Sequence, residues 1–150
     1  MITNETKYAL KALLHLAKSA DQTGCDAAEI AASQDIAEDV IPSILATLDA
    51  GGFVRCSNNR FRLARPAATI MVGQVVRCVD GPLAAIPCVS QTAYKRCTDC
   101  RDEAGCEVRR ILRLVRDATA FILDNTSLLD MGAGRNLQAV LAEVIKSGVV

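Results

Sequence analysis

A chain of 150 residues with 51% apolar content suits one compact domain, or a small domain with an appended dimerisation element, and it can bury a real core. Zero formal net charge excludes a global basic field as the route to nucleic acid, and seven cysteines exclude a fully paired intramolecular disulfide scheme. No apolar run approaches the roughly 20 residues that span a bilayer, and the opening MITNETKYALKALLHL does not read as a signal peptide. The expected compartment is a reducing cytoplasm, where clustered thiols serve metals or redox chemistry.

The first helix is predicted from about Glu5 to Ser19, with Thr3 or Asn4 as its N-cap. Tyr8, Ala9, Leu10, Ala12, Leu13, Leu16 and Ala17 give it a buried face. Lys7, Lys11, His15 and Lys18 line one cationic stripe, either solvated or turned to phosphates. Asp26 with Glu29 forms a capping-box pattern that opens a short helix through Ser33. A tight connection at Gln34-Asp35-Ile36 follows. Ile41, Ile44, Leu45 and Leu48 recur at i, i+3, i+4 and i+7, and Pro42 must lie in a first turn, so the next helix is predicted from Glu38 or Asp39 to Gly51-Gly52. Phe53–Cys56 and Arg60–Leu63 read as two strands around Ser57-Asn58-Asn59, because Asn tolerates the positive φ of a tight turn. Three helices and a hairpin in this order make residues 1–66 a winged helix-turn-helix.

Arg65-Pro66 marks a boundary, and Thr69 is predicted to cap a short helix carrying Ile70, Val72, Val75, Val76 and Val79, broken at Asp80-Gly81-Pro82. From Leu83 to the next helix no period is sustained, and Cys88, Cys97, Cys100 and Cys106 fall within nineteen residues. A loop this long in a compact protein is usually functional or disordered. Glu107–Asp124 is predicted as a strong helix, with Val108, Ile111, Leu112, Val115, Ala118, Phe121 and Ile122 on one face. An apolar stripe that long outside the winged unit suggests pairing with a second copy, burial against its own domain being the plainer alternative. Leu128-Leu129 reads as a short turn, Gly132 and Gly134 as a hinge, and Leu137–Ile145 as a last amphipathic helix. The predicted class is mainly α with a small β-hairpin wing, in units of 1–66, 67–131 and 132–150.

Thr6-Lys7-Tyr8-Ala9, Ala50-Gly51-Gly52-Phe53-Val54, Leu63-Ala64-Arg65-Pro66, Val75-Val76, Val79-Asp80-Gly81, the cysteine loop and Asn125-Thr126-Ser127-Leu128 stand in an ordered set. With that set the chain resembles, over residues 1–131, the IscR-type regulators, the Rrf-two family of bacterial winged-helix transcription factors that includes IscR, NsrR, RirA and CymR. The resemblance implies a homodimer paired through the 107–124 helix, acting on promoter DNA. It also implies an iron–sulfur cluster, 2Fe-2S or 4Fe-4S, held by three loop cysteines and one further ligand. By position the three are Cys88, Cys100 and Cys106: Cys88 lies eight residues after Asp80, and Cys100-x5-Cys106 keeps the closing spacing of the family. Soft thiolates on a flexible loop suit such a group. Cys97 is extra and stays open as fourth ligand, resolving thiol or bystander. Arg109 stands where one subgroup has a histidine, and Tyr8 where another has an acidic ligand. His15 reads as a surface residue, and Cys25, Cys56 and Cys78 as small core residues.

For DNA, the expected contacts are Lys7, Lys11, Arg55, Arg60 and Arg62 to phosphates and Ser43 and Thr47 to bases. The Gly-rich wing of the family is shortened here to Arg55–Phe61, without glycine. Residues 21–50 hold seven acids and no Lys or Arg, while 55–65 hold four Arg and no acid. Binding is therefore expected to be weaker and more salt-sensitive than the fold suggests, or the partner to be altered. One alternative makes the loop a zinc or thiol–disulfide switch, since Cys97-x2-Cys100 fits half a zinc knuckle. Another is a cluster- or partner-binding module without DNA recognition. One histidine on a charged face and no phosphate-cradling glycine loop argue against an enzyme.

Overall fold

The computed structural model describes residues 2–19, 23–134, 137–146 and 148. Helix α1 spans Asn4–Lys18, with Thr3 as N-cap accepting from the Thr6 N–H. Its buried face, including the fully enclosed Ala9, Ala12 and Leu13, makes it the hub of the molecule. It touches α2 (Ala27–Gln34), α3 (Ile41–Ala50), α4 (Val72–Val79) and α6 (Leu128–Gly132).

The Asp26–Glu29 capping box forms as the spacing requires, each side chain meeting the other's backbone N–H at 2.8 Å. Asp35 closes α2 in the left-handed region at φ 53°. The connection to α3 is longer than the predicted tight turn: residues 38–40 form a turn, and the helix starts at Ile41 rather than at Glu38 or Asp39. Pro42 then falls in the first helical turn, the one place where its missing N–H costs nothing. Ile41, Ile44, Leu45 and Leu48 anchor α3 in the core.

Strands β1 (Val54–Ser57) and β2 (Arg60–Leu63) form an antiparallel hairpin, turned by Asn58 and Asn59 at φ 51° and 59°. Both central residues have positive φ, as a two-residue hairpin turn demands. Cys25 and Phe61 exchange backbone hydrogen bonds of 3.0 and 2.7 Å, which stitches the wing to the start of α2.

After Pro66 the predicted helix start is displaced. Thr69 donates to the Pro66 carbonyl at 2.8 Å and closes a 3-10 turn (Ala67–Thr69) instead of capping a helix. Ile70 and Met71 stay extended because they pair with the segment before α6: Leu128 N–H donates to Ile70 O and Val72 N–H to Thr126 O. Long-range pairing overrides the local cap. Ile70, Val72, Val75, Val76 and Leu128 belong to the same buried cluster as the winged residues, so the core is continuous across residue 66.

Helix α5 (Glu107–Asp124) has the predicted bounds, and α7 spans Leu137–Lys146. Arg77 on α4 clamps Asp124 at the end of α5 through two hydrogen bonds of 2.6 and 2.8 Å. At the same end of α4, its C-cap Asp80 accepts from the backbone N–H and hydroxyl of Thr3, tying α4 to the cap of α1. Burial works against the Asp80 charge, but the Thr3 hydrogen bonds outweigh it and hold its carboxyl below the ordinary 3.8. A depressed carboxylate stabilises above the unfolded value and loses that contribution as pH falls through the folded one. Asp80→Asn is therefore expected to lower stability at neutral pH and to flatten its decline below about pH 4, read from chemical denaturation at pH steps.

Candidate thiol sensor and nucleic-acid interface

Three of the four loop cysteines meet. The Cys100 thiol donates to Cys106 Sγ at 3.9 Å. Hydrogen bonds with Cys97 and then Cys106 push the Cys100 thiol up to about 12, since ionising it would break both and set charge against neighbouring sulfur. Cys97, left open by the sequence, thus stands with Cys100 and Cys106. The loop is folded around Glu103, whose two carboxylate oxygens accept from the Cys97 N–H at 2.9 Å and the Tyr94 hydroxyl at 2.7 Å. These bonds hold the Glu103 carboxyl below its usual range. Asp102 accepts from the Ala104 and Gly105 N–H groups and shapes the last turn before Cys106. Neither acid was singled out from sequence, although Glu103 lies midway between Cys100 and Cys106.

Cys106 is the N-cap of α5, and its sulfur accepts from the Arg109 N–H at 3.4 Å, at the positive end of the helix dipole. Cys88 lies on a buried 3-10 turn (Pro87–Val89). Arg109 links the two ends of the loop, because its Nε also donates to the Cys88 carbonyl at 3.2 Å. Arg116 secures the same turn through the Val89 carbonyl. Among the described residues no set of three or more His, Cys, Asp or Glu side chains stands as a ready metal site. The donors are soft and close together in sequence, so they suit an iron–sulfur group or zinc in kind.

Of the remaining cysteines, Cys25 is buried and Cys78 is half-buried, with its thiol raised by burial and donating to the Thr47 carbonyl at 3.7 Å. Cys56 departs from the core reading: β1 turns it outward and it is exposed. His15 is half-buried and joins Ser33 of α2 at 3.0 Å, a structural link between helices.

The nucleic-acid side is mixed. Ser43 and Thr47 sit one turn apart on the exposed face of α3, their hydroxyls donating to the carbonyls of Val40 and Ser43. Lone pairs therefore face outward as acceptors for base donors. Arg55 and Arg62 are exposed and directly opposed across the hairpin. Like charges so placed repel unless an anion lies between them. Arg60, by contrast, turns inward: its Nε donates to the Gly24 carbonyl at 3.0 Å and Nη2 pairs with Glu29 at 3.2 Å. Lys11 is likewise spent on the Gln34 carbonyl, while Lys7 is exposed with its ammonium 4.7 Å from the Tyr8 ring.

A helical bundle built on α1, with an exposed polar face on α3 and a basic hairpin beside it, defines a winged-helix DNA-binding regulator. The sequence model of the Rrf2 family, described as iron-dependent transcriptional regulator, matches residues 2–134, and the chain belongs to that family. An rrf2-like HTH-type transcriptional regulator of Rhodobacter capsulatus is 36% identical over 149 residues, covering 95% of this chain and 99% of that one. Among solved structures, CymR (YrzC), the global cysteine regulator of B. subtilis, superposes with TM-score 0.71 at 22% identity, over 88% of this chain and 95% of its own. IscR of T. potens superposes with TM-score 0.67 at 19% identity, over 91% and 88%. These two likenesses bear on the fold alone. The protein is a transcription regulator and not an enzyme, and among the described residues no helix is long and apolar enough to cross a membrane.

Proposed function

We propose that the chain is a homodimeric regulator whose affinity for promoter DNA is set by an iron–sulfur cluster on the cysteine loop, in the cytoplasm. In this reading residues 1–66 bind DNA, 67–131 carry the loop and the dimer helix, and 132–150 form a helical tail. The observation that carries it is the contact of the Cys100 and Cys106 thiols at the N-cap of α5, with Cys97 held on the same loop by Glu103. A cluster bound by Cys88, Cys100 and Cys106, with Cys97 or another group as fourth ligand, would supply a fixed anchor there. The chain's own part is mechanical. Arg109 and Arg116 hold the Cys88 turn on α5, and Arg77–Asp124 with Thr3–Asp80 pass its position to α4 and α1. A shift of the loop would bias how two recognition helices stand to one another, an equilibrium between two states of the dimer.

The contact between Cys97 and Cys100 favours a second reading, a tetrathiolate zinc or thiol–disulfide switch on the same loop. Anaerobic iron, sulfide and zinc analysis separates the two. Iron with acid-labile sulfide, lost in Cys106→Ala and Cys88→Ala, supports the cluster; colourless protein with stoichiometric zinc overturns it. Retention of the cluster in Cys97→Ala would leave the fourth ligand elsewhere.

The opposed Arg55–Arg62 pair supports phosphate contact by the wing. Arg62→Ala is expected to weaken DNA binding at every sequence and to lower the slope of log K against log salt by about one. The same slope after substitution would remove Arg62 from the interface. Arg60→Ala should act instead through loss of the wing's attachment, with little change in slope.

A further inference from the structure

A cleft opens beside the thiols, on the flank of α5. It encloses about 430 Å³ and is lined by Glu103, Cys106, Arg109, Arg110, Arg113 and Asp117 among others. Its charges do not balance. Asp117 is paired with Arg116, and both oxygens of Glu103 are taken by Tyr94 and Cys97. Arg110 and Arg113 lie exposed one turn apart and line the same cleft as the partly exposed Cys106. Thiols that exchange sit in electropositive, partly exposed surroundings of this kind. Guanidinium groups recognise carboxylates by paired N–H donors.

We propose that this cleft binds a small acidic disulfide, one whose carboxylates engage Arg110 and Arg113, and that Cys106 exchanges with it. The Cys106 sulfur attacks one sulfur of the bound disulfide. A bond forms between Cys106 and that half, the original S–S bond breaks, and the other half leaves as a thiol carrying the proton that Cys106 gave up. Cys100, 3.9 Å away, then attacks the Cys106 sulfur and expels the second half as a thiol. Two protein thiols are oxidised to one Cys100–Cys106 disulfide, and one small disulfide is reduced to two thiols. The step deepens the reading of the loop as a sensor, since oxidised sulfurs could not ligate a metal. Its chemistry nevertheless needs only the metal-free chain and stands or falls separately from metal content.

The test uses the full chain after chelation under argon, with glutathione disulfide as the acidic probe and hydroxyethyl disulfide as a neutral one. Peptide mass spectrometry should show a Cys100–Cys106 disulfide, and in Cys100→Ser a trapped glutathionyl group on Cys106. Arg110→Gln and Arg113→Gln should each slow reaction with glutathione disulfide by up to roughly five-fold, the order expected for one partly exposed ion pair, and leave the neutral probe unaffected. Equal slowing with both probes, no slowing with either, or a glutathionyl group on Cys97 in place of Cys106 would overturn the proposal. Helical content and oligomer mass, measured on each variant, guard against a folding defect: a variant that has lost either is replaced by the Met substitution, which also removes the charge. The Lys substitution keeps the charge and should retain most of the rate.

Discussion

Ile111→Asp is expected to convert the proposed α5-paired homodimer into a monomer at micromolar concentration. Helix α5 is eighteen residues long, yet none of its side chains is fully buried. One side, with Leu112, Arg116 and Leu123, is turned to α4 and the Pro87–Val89 turn. Beside it, Val108 at 64%, Ile111 at 55%, Leu114 at 49% and Val115 at 53% are left exposed, an apolar row that the monomer only half covers. Such rows mark interfaces. A carboxylate at the centre of one must be buried unpaired or must hold the surfaces apart, and central substitutions of that kind cost about 2 kcal/mol or more, roughly thirty-fold in dissociation constant. Sedimentation would show the shift, with circular dichroism confirming that the fold persists. Affinity for a two-half-site operator should fall with it, because the spacing of two recognition helices is lost. Unchanged sedimentation would move the interface off α5.

Leu48→Ala should have the largest effect on stability, about 2–5 kcal/mol. Leu48 is 0% exposed and holds α3 against the core together with Leu45 and Ile44. Truncation leaves a cavity among residues that cannot all collapse into it. For a chain of this length each kcal/mol lowers the melting temperature by about 2–4 °C, so a fall on the order of 10 °C is expected. The neighbouring Thr47→Ala, on the exposed face, should change stability by less than about 0.5 kcal/mol while reducing base discrimination. The pair separates anchoring of the recognition helix from its reading of DNA. Equal stability losses would show that Thr47 is structural.

Local rules accounted for much of this molecule. The capping box at Asp26 and Glu29, the Asn58-Asn59 turn and the bounds of α5 each depend on residues a few positions apart, and the structure carries them as predicted. Where two distant segments meet, sequence reasoning failed for an identifiable reason. Thr69 has the chemistry of a cap, but Ile70 and Met71 are held extended by residues 126–128. Arg60 has the chemistry of a phosphate contact, but Gly24 before α2 presents it with a carbonyl and Glu29 on α2 with a carboxylate. Period and spacing contain neither fact.

The cysteine loop divides the same way. Its four thiols, their position before a long amphipathic helix, and their fitness for a soft metal follow from residue type and order alone. Which thiols touch does not, because the segment has no period and its shape comes from Glu103, Asp102 and Arg109 reaching across it. The sequence by itself determined a winged helix joined through a thiol-bearing loop to a long amphipathic helix, since patterning and capping act within a few residues. Tertiary structure alone decided that Cys97 joins Cys100 and Cys106, that Arg60 faces inward, and that an apolar row of α5 is left half covered. The last two are balances between contacts far apart in the chain, and the first is set by side chains reaching across a loop that has no period to show it.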